Sequence, residues 1–147
     1  MNLLYIIILL FIYSYLGATF EHICYFLNKK KIKILNNIII TGFPLYGLCS
    51  LLIIFLSKYY HSNLITQFLV NSSLITIIEL IIGLCVDAGK TTNGSIHYWD
   101  YSDNFMNYKG IISVRHFVTW GILGITVIYL HNNYIDKFVN NGINSFQ

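Results

Sequence analysis

Glu21, Glu79 and Arg115 stand inside long apolar runs of a 147-residue chain that is 56% hydrophobic and only 10% charged. They are the chain's only glutamates and its only arginine. An isolated ion in hydrocarbon costs at least about 2.5–3.5 kcal/mol, so such groups turn to a bundle interior or a wet cavity and pair. The simplest pairing sets the planar fork of Arg115 against one or both glutamates. Two carboxylates and one guanidinium leave one negative charge over. A protonated glutamate, a cation, a substrate amine or a loop residue would supply the balance. That chemistry belongs to a binding or translocation site, and it equally fits an ion cluster that only fixes helix packing.

Four apolar blocks must position these groups. They cover about residues 3–27, 38–57, 64–86 and 110–130, each near the roughly 20 residues that cross a bilayer core. The connections are residues 28–37, 58–63 and a polar loop over 87–109. The first block has no basic start and no small-residue cleavage site, and it reads as a retained span. None of the blocks alternates as barrel strands do. The expected fold is therefore all-α: a polytopic integral membrane protein, one transmembrane domain over 1–147, with a bundle of about four helices. At about 1.5 Å of rise per residue, Glu21, Glu79 and Arg115 all fall on the order of 6–9 Å from the midplane, on one side. Helical spacing joins Glu21 to Ser14, Ala18, Tyr25 and Asn28, and Glu79 to Ser72, Thr76, Gly83 and Asp87. Small and polar stripes of this sort let membrane helices pack closely. Pro44, with Gly42 and Gly47 around it, predicts a kink in the second helix.

The net charge is +3 and the mean hydropathy +0.63. Lys29, Lys30, Lys31 and Lys33 crowd the first connection, and Lys90 and Lys109 stand in the third. Only Lys58 and Lys137 lie on the other face. The positive-inside rule then makes 28–37 and 87–109 cytoplasmic and puts both termini outside. The lysine run is a topology signal rather than a nucleic-acid arm. Cys24, Cys49 and Cys85 form neither a disulfide framework nor a zinc spacing. "AGKTT" at 88–92 lacks the first glycine of a phosphate-binding loop and has no strand before it, so no nucleotide site is expected. His22, His97 and His116 show no ligand spacing, so neither a metal nor a cofactor is expected.

Several ordered pieces carry a resemblance. They are "YSYLG" with Glu21 four residues after its glycine, "GFPLYG", Glu79 with Gly83, "WDYSDNFMNYKG" and "RHFVTWG". Over about residues 5–125 the chain resembles the ABC-transporter type IV (permease-like) family of membrane proteins. The resemblance marks Ser14, Gly17, Glu21, Pro44, Tyr46, Gly47, Glu79, Trp99, Asp100, Tyr101, Ser102, Asn107, Gly110, Arg115 and Trp120 as motif residues. The chain departs from the pattern at Ala18, where the family tends to have tryptophan. It departs again at "NNIII", where the family tends to have an asparagine-arginine-glycine segment. The resemblance implies a permease or permease-like subunit. A chain without a nucleotide site would need a separate ATPase for an ABC-type role. Four helices enclose little space, so a homo-oligomer or a partner is expected, in the lipid bilayer.

"HYWDYSDN" falls on the same face as the buried charges. Trp99 and the tyrosines suit a membrane–water interface. Asp100 can fold inward over the Glu21–Glu79–Arg115 level, or it can cap the segment that follows. The leading expectation is a non-enzymatic membrane protein that binds or passes a small polar solute through this cluster. An intramembrane enzyme on a lipid-like substrate, with a glutamate as acid or base, is one alternative. A scaffold or sensor whose charges are purely structural is the other.

Overall fold

The computed structural model describes residues 2–27, 35–60, 63–86, 88–90, 96–97 and 99–145. The lysine run of the first connection lies outside the described residues. The protein is all-α, and among the described residues its strands are two short ribbons between helices. Helix α1 covers Leu3–Leu27, α2 Leu35–Tyr60, α3 Leu64–Cys85 and α4 Val114–Leu130. A π-helical turn over His131–Ile135 joins α4 to α5, Asp136–Asn144. Among the described residues, Leu3–Cys24 and Leu64–Cys85 are long and apolar enough to cross a bilayer, and Pro44–Tyr60 is a shorter apolar helix.

The contacts divide the chain into two compact units. Unit 1 holds Met1–Leu56 and Val127–Gln147. Its core follows from four-residue spacing on α1, where Tyr5, Leu9 and Tyr13 share one face and are buried. This face meets Ile54 of α2 and Val139 and Ile143 of α5, themselves four residues apart. Ile8, Ile12, Leu51, Val127 and Ile135 flank the cluster. The segment after 130, beyond the last apolar block of the sequence, is thus helical. An apolar stripe at helical spacing anchors a short helix that would be marginal alone. α2 runs through Pro44, which is exposed.

Unit 2 covers Ser57–Thr126. Asn63 starts α3 by accepting the Thr66 backbone N–H at 2.6 Å, the capping bond that satisfies an orphan donor. Asn71, Ser72, Ile75, Glu79 and Gly83 form the buried stripe of α3. Gly121 and Gly124 of α4 pack on it. A Cβ on Gly124 would stand 2.5 Å from Asn71, and one on Gly121 would collide with Ser72 and Phe68. The outward face of α3 is apolar: Ile65, Leu69, Ile77, Ile81 and Leu84 are exposed.

The polar connection contains two antiparallel ribbons. β1 (Gly89–Lys90) pairs with β2 (Ile96–His97), and β3 (Asn107–Tyr108) pairs with β4 (Ile112–Ser113). The second ribbon moves the start of the fourth helix from the expected 110 to Val114. Met106, Lys109 and Gly110 have φ of 48°, 54° and 70°. These left-handed values cannot propagate a right-handed helix. Arg115 therefore sits in the first turn of α4, not several residues inside a helix that begins at 110.

Candidate functional site in unit 2

The loop between the two ribbons and α4 is built by its own short polar side chains. Asp100 Oδ1 accepts the Ser102 backbone N–H at 2.9 Å. Asn107 works in both directions. Its Nδ2 donates to the carbonyls of Ser102 and Asn104, each at 3.0 Å, and its Oδ1 accepts the Gly110 N–H at 3.0 Å. The Tyr101 backbone N–H donates to the Gly110 carbonyl at 2.8 Å. Side chains of this type satisfy loop backbone where no ladder does. At Gly110 the positive φ and the Asp100 Oδ1 atom, 2.8 Å from where a Cβ would stand, both call for glycine.

Trp99 fastens this loop to the helices. Its indole N–H donates to the Ile111 carbonyl at 2.8 Å. Its ring and Ile111 lie over Gly83 of α3, where a Cβ would collide with Ile111 and stand 3.1 Å from Trp99. With loop and helix so joined, Tyr101 reaches Glu79. The Tyr101 hydroxyl donates to Glu79 Oε1 at 2.8 Å, and the Trp120 indole N–H of α4 donates to Oε2 at 2.9 Å. Glu79 is 7% exposed. The Tyr101 ring stacks on His116, with centroids 3.5 Å apart and planes 13° apart. His116 Nδ1 lies 2.9 Å from Ser113 Oγ. Three segments thus converge on one buried carboxylate: mid-α3, the loop and the first turns of α4.

The other motif residues divide as follows. Asp100 takes the capping role rather than that of a cover on a charged level, because its Oδ1 is bonded inside its own loop. Arg115 is exposed, and among the described residues no carboxylate pairs with it. Its position in the first helical turn lets the long side chain reach outward, which removes the need for a buried counter-ion. Glu21 belongs to unit 1, where it accepts the Tyr46 hydroxyl at 2.7 Å. Gly17 lets the Tyr46 ring lie on α1, and Gly47 lets α2 approach Ser14 and the Leu10 carbonyl. Each unit therefore holds a helical glutamate by a tyrosine hydroxyl. Charge counting pointed to arginine as the partner of these carboxylates. Among the donors that hold them are the neutral aromatic side chains Tyr46, Tyr101 and Trp120, and Tyr101 in particular lies in a loop whose path no helical spacing reveals.

The family model described as "Putative ABC-transporter type IV" matches residues 8–147. The chain belongs to this family. No curated protein and no solved structure matches the chain. The match takes in the whole Glu79 site and continues over the π turn and α5. A family member of this kind carries the resemblance read from its motifs, and the structure supplies the reason for one of them. The "WDYS" element holds together the loop that delivers Tyr101 to Glu79.

Proposed function

We propose that this protein is a polytopic membrane permease or permease-like subunit whose Glu79 site binds a small polar solute. The single observation that carries the reading is the Glu79 carboxylate, buried on an apolar helix and held by Tyr101 and Trp120. These two donors hold both carboxylate oxygens in place. A group this expensive in an apolar setting marks a functional site by default. The apolar outer faces of α1 and α3, with Ile7, Phe11, Ile77 and Ile81 exposed, suit lipid. In this reading the chain forms one transmembrane domain with its 87–109 connection in the cytoplasm and its termini outside. Energy comes from a separate ATPase subunit, and a second copy or that partner completes the pathway.

The test uses purified full-length protein in lipid nanodiscs and a thermal-shift panel of sodium, ammonium, choline and arginine, with sorbitol as a neutral solute. A bound solute at ten times its Kd stabilises by about 1.4 kcal/mol. For a chain of this size that raises the midpoint by about 3–6 °C. The expected result is such a shift in the wild type and its loss in Glu79→Gln. No shift with any solute, or the same shift in both proteins, would favour the scaffold reading. Turnover of a lipid-like substrate that disappears with Glu79→Gln would favour the enzyme reading.

A further inference from the structure

Unit 1 carries a second group of ionisable side chains, three of them buried and Asp136 half-buried, none of which the Glu79 site uses. Tyr5 of α1 donates its hydroxyl to Asp136 Oδ1 at the start of α5. Tyr13, two turns along α1, is 2% exposed, and its hydroxyl has no hydrogen-bond partner among the described residues. It lies within electrostatic reach of both Tyr5 and Asp136. The buried His131 ring stands 6.3 Å from the Tyr13 ring, tilted by 49°. The four groups thus form a continuous set along the α1 side of the unit, inside a core that is otherwise aliphatic.

The π turn is what brings the imidazole and the carboxylate together. The Asp136 backbone N–H bonds to the His131 carbonyl, five residues back. In an α-helix five residues turn through about 500°, which leaves their side chains about 140° apart. A hydrogen bond from i to i+5 instead stacks residues five apart on one side. His131 meets Tyr13, and Asp136 meets Tyr5, on the same helix α1. An α-helical path over 131–136 would turn one of them away. π turns are rare and are frequent at functional sites.

We infer that Tyr5, Tyr13, His131 and Asp136 form a proton-binding site in unit 1. The Tyr13 ring of α1 faces His131, Tyr5 and Asp136 lie within electrostatic reach of Tyr13, and α2 contributes the apolar Leu51 and Ile54 to this core. With His131 neutral, the site holds one negative charge, on Asp136. The imidazole then accepts one proton from water at a ring nitrogen and becomes imidazolium. The Asp136 carboxylate balances it, and the site becomes net neutral. Burial by itself disfavours the imidazolium and the opposite charge on Asp136 favours it, so the carboxylate decides whether the ring takes the proton. The inference does not use Glu79 and stands apart from the solute-binding reading.

The experiment reads the His131 ring directly in the full chain in lipid bilayers. Leu130–His131 is the only Leu-His pair in the sequence. Carbonyl-13C leucine together with 13C,15N-histidine therefore isolates this residue by solid-state NMR without any substitution. As the pH falls from about 8 to about 4, the ring nitrogens are expected to convert reversibly from the neutral to the charged signature. In Asp136→Asn the ratio of charged to neutral ring at a given pH is expected to fall by about tenfold or more. A wild-type ring that stays neutral down to about pH 4 overturns the inference, whatever the variant does. So does an Asp136→Asn protein whose His131 titrates as the wild type does.

Discussion

Tyr101→Phe is the sharpest test of how the loop and the buried carboxylate are joined. The substitution removes one oxygen and leaves the ring to stack on His116 as before. What is lost is the 2.8 Å bond to Glu79 Oε1, an acceptor on a residue 7% exposed. A hydrogen bond to a charged group contributes about 1.5–3 kcal/mol, and water cannot easily replace it at a buried site. A loss of about 2 kcal/mol corresponds to about 4–8 °C in the melting midpoint for a chain of this length. The assay is a thermal melt of protein in nanodiscs, run beside Glu79→Gln and the double variant Tyr101→Phe/Glu79→Gln. Two groups in direct contact should show a coupling of about 1 kcal/mol or more, so the double variant should lose less than the sum of the singles. A Tyr101→Phe protein that melts within about 1 °C of wild type would refute the reasoning. Strict additivity of the two substitutions would refute it as well.

Other outcomes follow from the same contacts. Arg115→Gln should change stability by less than about 0.5 kcal/mol, because the side chain is exposed and no described carboxylate pairs with it; a melting loss as large as that of Tyr101→Phe would restore an ion-pair role. Gly83→Leu should separate the loop from α3, since even a Cβ there meets Ile111 and Trp99. Overpacking of this kind costs about 1–3 kcal/mol, and the emission of Trp99 in a Trp120→Phe background should shift to the red. Gly110→Ala should lower stability by about 1 kcal/mol or more, from its φ of 70° and the nearby Asp100 oxygen. Ile143→Ala should cost about 2–5 kcal/mol and speed hydrogen exchange in α5, whose buried contacts are Val139 and Ile143.

Much of the architecture was legible in the residues. Apolar runs of bilayer length located α1, α2 and α3 to within a few residues, because burial of a helical face imposes its period on the sequence. The family motifs were legible too, and they held Glu79, Tyr101 and Trp120 among them. The fourth helix was misplaced at its start because "GIIS" is as apolar as the helix it precedes. Only left-handed backbone at Met106, Lys109 and Gly110 turns that stretch into a ribbon. The helix after residue 130 was missed because Asn and Asp dilute its stripe, and its Val139 and Ile143 gain their meaning from Tyr5 and Leu9 far away in the chain.

By itself, the sequence determined that three charged residues stand in apolar surroundings and need an answer. Composition and helical spacing suffice for that, since they are properties of single segments. Which groups answer was decided by tertiary structure. Glu79 is met by a tyrosine 22 residues away and a tryptophan 41 residues away. Arg115, which charge alone assigned to it, lies exposed in the first turn of its helix. Local pattern records how a segment is buried, and it does not record which distant side chain the folded loop sets against it.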